Sequence, residues 1–221
     1  STLQADSIYS IKLRRKGGLT EAKKELGTLD LLLVADADSP ERAAGIAAGQ
    51  AEGAALEARG EHAAAAALYR QLAQRSAAPW REDLLLLAAR SLLAEGAAAE
   101  ANTLLTDLGL ADLSADQAER LRLLQAEAEL ALGRPDQALA QLGPTPPADE
   151  APDRRRAYHR LRAEALDDLG RHWESALERI ELDPWLPEAD RLDNQLAIVA
   201  QLNRLPQSEL LAPRPFQPEL S

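Results

Sequence analysis

Three histidines, His62, His159 and His172, and a surplus of carboxylates are the residues of this 221-residue chain with an obvious capacity for chemistry. A helical zinc site needs two histidines four residues apart on one face, and no two of these meet that spacing. The chain has no cysteine, which excludes thiolate zinc, an iron–sulfur cluster, a thiol nucleophile and a disulfide framework for these residues. No nucleophile elbow, Walker loop or dinucleotide glycine motif is present. Gly45, Gly49 and Gly53 recur every four residues within a helical run, where they permit close packing instead of cradling phosphate. Glu164, Asp167 and Asp168 could be imagined as an acid–base set, but they fall on the charged outer face of an amphipathic helix. No catalytic residue, metal site or cofactor is therefore expected.

Charge narrows the partners. With 25 Lys and Arg against 36 Asp and Glu, the net charge is −11 and the isoelectric point about 4.8, which argues against electrostatic nucleic-acid binding. Two basic clusters run against that trend. Lys12, Arg14, Arg15, Lys16, Lys23 and Lys24 crowd the N-terminal stretch, and Arg154, Arg155, Arg156, Arg160 and Arg162 lie beside a Pro-rich segment. The first reads as a solvated leader. The second could meet an acidic partner, or balance Asp149, Glu150 and Asp153.

These side chains are positioned by helices. Hydrophobic residues make up 46% of the chain but aromatics only 3%, and an Ala/Leu-rich composition favours helix over strand. The longest early apolar run, Leu31 to Val34, is far short of the roughly 20 residues that a membrane helix requires. Gly60, Gly96, Gly133 and Gly170 each stand between two helical runs, spaced 36, 37 and 37 residues apart. That period is close to the tetratricopeptide repeat and predicts an all-α solenoid of stacked antiparallel hairpins. Seven residues before each glycine sits Gly53, Ala89, Ala126 or Ala163, and five after it Ala65, Ala101, Ala138 or Ser175. Small residues at both places let two helices approach closely, while Leu56, Leu92, Leu166, Tyr69, Leu105 and Leu142 fill the core beyond.

The pattern predicts helices over 40–59, 61–75, 80–95, 97–109, 115–132, 135–142, 154–169 and 171–181, with a further amphipathic run over 187–205 capping the stack. Ser39-Pro40 and Pro135 mark helix starts, and Ser114 with Gln117 reads as a capping box. Residues 143–152 are too rich in Pro to be helix or central strand and read as an exposed connector. The chain thus divides into three regions: an N-terminal segment over 1–38, with one short helix near Thr20 to Leu26; a repeat domain over 39–205; and a Pro-rich tail over 206–221, read as a linker or extended strap. Solenoids bind partners along the concave face lined by their first helices. Repeat position places Gln50, Glu57, Arg90, Arg120, Glu127, Arg160, Glu164 and Asp167 there as candidate protein-binding residues.

With the repeats placed, Arg122 to Gln125, Gly133 to Leu139, Tyr158 to Ala165, Glu178 to Leu186 and Arg191 to Gln195, followed by Ile198, Leu202, Leu205-Pro206 and Leu210, resemble the N-terminal helical domain of the LppC/LpoA family of penicillin-binding protein activators. The weight rests on the run from Glu178 to Pro206. The resemblance implies a non-enzymatic domain of an outer-membrane lipoprotein facing the periplasm, whose partner is a class A peptidoglycan synthase. It also implies a lipidated cysteine and a two-lobed domain, both outside residues 1–221, with membrane attachment only through that lipid. Two other readings stay open on the residues alone: a general tetratricopeptide adaptor for extended peptides, and the helical platform of a cell-wall lytic enzyme.

Overall fold

The computed structural model describes residues 40–108, 113–146 and 151–210, and within them every regular element is a helix. The expected helix near Thr20, the basic N-terminal cluster and the cap at Ser39 lie outside the described residues, as do Asp149 and Glu150. Four hairpins succeed one another: α1 (Pro40–Ala58) with α2 (His62–Gln74), α3 (Trp80–Ala94) with α4 (Ala98–Leu108), α5 (Ala115–Ala131) with α6 (Pro135–Leu142), and α7 (Pro152–Asp168) with α8 (His172–Leu182). A 3-10 turn at Asp183–Trp185 leads into α9 (Glu188–Asn203), and a last turn of helix, α10, covers Gln207–Leu210. Helix α7 begins two residues earlier than expected, because Pro152 occupies its first turn, where a missing N–H is harmless.

Each hairpin closes by the same hydrogen bonds. Gly60, Gly96, Gly133 and Gly170 have φ between 70° and 83°, the left-handed conformation that ends a helix and that only glycine adopts freely. The residue after each glycine donates its N–H to the carbonyl five residues back, as from Glu61 to Leu56 at 2.9 Å and from Arg171 to Leu166 at 2.8 Å. Gly60, Gly96 and Gly133 meet no atom within 4 Å of a would-be Cβ, nor does Gly170. Backbone angle, and not crowding, therefore dictates glycine at all four turns.

The small residues sit where the helices touch. Ala89, Ala126, Ala163, Ala65, Ala101, Ala138 and Ser175 are fully buried, and Ser175 Oγ donates to the Ala163 carbonyl at 2.9 Å across the fourth hairpin. Tyr69, Leu105, Leu142 and Leu166 are buried beside them, while Leu56 packs at the edge of the first cluster. Burying each such large side chain is worth about 1.5–3 kcal/mol. Of the three helical glycines, Gly49 and Gly53 are needed for proximity, facing Leu72 and Tyr69, but Gly45 faces open space. The close-packing expectation thus fails at Gly45.

First helices pack on first helices along the stack, α1 on α3, α3 on α5 and α5 on α7, and consecutive second helices share no comparable interface among the described residues. The first helices therefore lie on the inner side of the curve. The capping box is present as expected: Ser114 Oγ accepts from the Gln117 N–H at 3.2 Å, and Gln117 Oε1 from the Ser114 N–H at 3.0 Å. Gln117 then uses its amide to donate to the Pro79 carbonyl at 3.1 Å, tying the start of α5 to the start of α3.

Candidate protein-binding face

Seven of the eight residues expected on the inner face take part in ion pairs there, and the pairs obey a rule. Glu57 on α1 accepts from Arg90 on α3 at 2.8 Å, and Asp83 on α3 from Arg120 on α5 at 2.8 Å. Asp116 on α5 accepts from Arg154 on α7 at 2.6 Å, and Glu127 on α5 stands 3.7 Å from Arg160 on α7. Asp167 on α7 accepts from Arg204, just past α9, at 2.7 Å. In each pair the acid belongs to the earlier helix and the arginine comes 33 to 38 residues later, about one repeat. Arg160 also reaches Glu164 at 3.1 Å on its own helix. Gln50 is half-buried on α1 and takes no part in these pairs.

The partners Asp83, Asp116, Arg154 and Arg204 were not among the expected face residues. The signal that finds them is opposite charge one period apart, a comparison that has meaning only once the helices are known to stack in register. Most of these groups are a quarter to a half exposed, so each pair adds well under about 1 kcal/mol. Glu57 is the exception, only 17% exposed, and Ser91 Oγ also donates to it at 2.7 Å.

The arginine cluster at the start of α7 is absorbed by the same architecture. Arg154 belongs to the ladder; Arg155 stacks over the Trp185 ring, 5.0 Å from its centroid; Arg156 donates to the Trp185 carbonyl at 3.1 Å and pairs with Asp153. Arg162 Nε donates to Glu178 Oε1 at 2.6 Å. The cluster therefore braces α7 against its neighbours, and Asp153 is one of the balancing acids that the sequence suggested.

Behind the face, α7 and α8 enclose a buried polar network. His159 Nδ1 lies 2.8 Å from Glu178 Oε2. Arg162 and the Tyr158 hydroxyl both donate to the Gly143 carbonyl, the latter at 3.1 Å, pinning the first residue of the connector. Burial by itself would raise the Glu178 pKa, but hydrogen bonds from His159 and Arg162, with their charge, prevail and hold it below its ordinary value. Burial pushes the Tyr158 phenol up to about 12. His172 Nδ1 stands 2.9 Å from Gln201 Oε1 on α9. Two of the three histidines thus join neighbouring helices, and among the described residues no group of three or more His, Asp or Glu could hold a metal. Nor is any described helix long and apolar enough to cross a membrane.

A face of internally neutralised charges presents little net field, so it suits contact by shape and by exchange of hydrogen bonds more than long-range capture. Comparison with known proteins gives this arrangement a setting. Residues 60–215 match the family model described as LppC putative lipoprotein. Among solved structures, the chain is similar to the amino-terminal domain of E. coli LpoA, with 26% identity and a TM-score of 0.53 over 69% of this chain and 68% of that one. A monoclinic form of Haemophilus influenzae LpoA aligns with 24% identity and a TM-score of 0.50, over 62% of this chain and 26% of that one. Full-length LpoA from the same organism aligns with 23% identity and a TM-score of 0.50, over 67% of this chain and 28% of that one; at these identities the two Haemophilus structures attest the fold alone. The chain thus spans about a quarter of the Haemophilus chains it matches. No match was found among curated proteins.

Proposed function

The chain belongs to the LppC lipoprotein family, and from that premise we propose that it is a non-catalytic helical domain of an envelope lipoprotein that activates a class A peptidoglycan synthase. In this reading the parent protein is anchored by lipid in the outer membrane and faces the periplasm. The domain acts as a stiff spacer and protein-binding scaffold, with the inner face of first helices as its contact surface. Gln50, Glu57, Arg90, Arg120, Glu127, Arg160, Glu164 and Asp167 are the residues proposed to meet a protein partner there.

The observation that carries the reading is the family match over residues 60–215. The ladder of ion pairs supports the mechanical part. Each first helix is stitched to the next at the inner face, and each hairpin is locked by its buried small residues, so a push at one end is transmitted along the stack. A spacer needs that property more than it needs any reactive group.

The test is glycan-strand polymerisation by a class A synthase, measured with the chain added alone and joined to the two-lobed domain that the family implies. Stimulation by the joined form, reduced when the helical domain is deleted, is the expected result. No effect of either form sinks the activator reading. Gln50→Lys with Glu164→Lys separates the two roles, since Gln50 joins no ion pair and Glu164 pairs only within its own helix: a pure spacer keeps its ladder and tolerates the change, whereas a scaffold that binds through this face loses its partner.

A further inference from the structure

The ion pairs of the inner face sit on the side of the stack where its curvature is decided. Each joins one first helix to the next: Asp83 of α3 to Arg120 of α5, Asp116 of α5 to Arg154 of α7, and Asp167 of α7 to Arg204 just past α9. A looser pair, Glu127 with Arg160, doubles the link between α5 and α7. The apolar packing lies behind them. Leu86, Ala89, Leu105, Leu121 and Ala128 form one buried cluster among α3, α4 and α5, and Leu123, Ala126, Leu142, Tyr158 and Leu161 another among α5, α6 and α7. These joints thus have an apolar centre and a charged inner rim.

The outer side leaves room for movement. Among the described residues consecutive second helices share no comparable interface, so they have space to draw together when the first helices part. At the start of the stack Arg70 of α2 pairs with Glu100 of α4, which charges that joint on both sides and makes it bend least. The joints from α3 to α9 are those where the inner pairs act on the curve.

Salt acts on the rim and spares the centre. The six groups of the three pairs are between 23% and 54% exposed, so mobile ions reach them, and the Debye length falls from about 30 Å in 0.01 M salt to about 3 Å in 1 M. Burial of Leu and Ala involves no charge and is untouched by screening. Each pair is weak by itself, but a solenoid's curvature is the sum of small rotations between repeats, and a small change at each joint adds up along the stack.

We propose that the ladder makes the curvature of the stack responsive to ionic strength. At low salt Asp83, Asp116 and Asp167 draw each first helix toward the next and tighten the curve; as salt rises the inner rim relaxes, and the stack straightens and lengthens. In the role proposed above, the reach of the domain then follows the ionic strength of its compartment. The device needs only the stack, so its failure and the failure of the activator reading are separate results.

The chain has no native cysteine, so two engineered ones in the full 221-residue chain take nitroxide labels cleanly. Ala94→Cys at the end of α3 and Asn203→Cys at the end of α9 are at exposed positions and stand three first-helix steps apart, about 24–30 Å by the usual spacing of packed helices. Double electron–electron resonance should show their mean separation growing by about 1.5–3 Å between 0.01 M and 1 M sodium chloride, about half to one ångström at each of three joints, inside the spread of about 2 Å that helix packing allows. The same labels in a chain carrying Asp83→Asn, Asp116→Asn and Asp167→Asn, one substitution for each joint, should read the longer separation at both concentrations. An unchanged or shortened separation in the chain with its native acids would overturn the proposal, whether or not the variant folds. Equal lengthening in both chains would also overturn it, since salt would then be acting on something other than the ladder.

Discussion

A methyl group on Gly53 would come within 2.3 Å of the Cε1 and Cζ atoms of Tyr69, so the first hairpin closes with an aromatic ring pressed against bare backbone. Tyr69 is buried, only 1% exposed. Gly53→Ala gains about 1 kcal/mol of helix propensity but forces an overlap that typically costs about 1–3 kcal/mol in a packed core, and the net expectation is a loss of about 1 kcal/mol. Gly45→Ala, which meets nothing within 4 Å, isolates the propensity term and should raise stability. Thermal unfolding of the two variants, moving in opposite directions, checks the assignment; matching gains at both sites would show that Tyr69 swings clear.

The ladder of ion pairs should be uneven. A double-mutant cycle on Glu57 and Arg90, read by urea unfolding, should give a coupling of about 0.5–1 kcal/mol, since the Glu57 carboxylate is sheltered and also held by Ser91. The same cycle on Glu127 and Arg160, 3.7 Å apart and both over 40% exposed, should give a coupling near zero. Raising the salt concentration should shrink the first and leave the second unmoved.

Acid should loosen the fourth hairpin. The Glu178 carboxyl is held below its ordinary value of 4.5, so its contribution is fully present above that pH and is lost as pH falls beneath it, through the folded-state value. Glu178→Gln keeps the shape but leaves Arg162 facing a neutral group, and should cost about 2–3 kcal/mol at neutral pH. The gap between wild type and variant should then narrow as the pH drops below 4.5. A gap that stays constant into strong acid would mean that Glu178 stabilises by packing alone.

Alkali should act on the partner side of the same network. Tyr158 is raised from 10.0 to about 12, so its stabilising effect is intact below pH 10.0 and disappears as pH climbs toward about 12. Tyr158→Phe gives up the hydrogen bond to Gly143, worth about 1 kcal/mol at neutral pH, and removes this part of the alkaline slope. Phenolate absorbance of the folded chain should lose a titration near 12 when Tyr158 is replaced, while Tyr69, which burial also raises, keeps its own.

The hairpins were legible in the sequence because their requirements are local. A glycine where φ must be positive, an alanine where two helices cross and a Ser114–Gln117 box each answer to a few neighbouring residues. Repeat position put the eight candidate face residues on first helices but did not pair them. Repeat position assigned Arg120 and Arg160 to first helices, yet their partners Asp83 and Glu127 lie on the preceding first helix, and pairing them requires knowing that first helices stack on first helices. Histidine misled for a similar reason. Spacing offered no helical pair of histidines, but nothing local says that His159 faces Glu178 nineteen residues on, or that His172 reaches Gln201 on the next helix. Helix α9 hid its character most fully: Leu192, Leu196 and Val199 are exposed in the structure, yet apolar residues at helical spacing look the same whether they are turned inward or outward.

The order of charge in the ladder gives the stack a direction. Glu57, Asp83, Asp116, Glu127 and Asp167 all reach toward the C-terminal neighbour, and Arg90, Arg120, Arg154, Arg160 and Arg204 all reach back. The two ends of the inner face are therefore unlike, in the way that the ends of a filament subunit are unlike. Repeats joined head to tail continue the pattern without a break. Any arrangement that turned one unit around would set carboxylate against carboxylate or guanidinium against guanidinium, so the chain carries in its charges a rule for which way it can be extended.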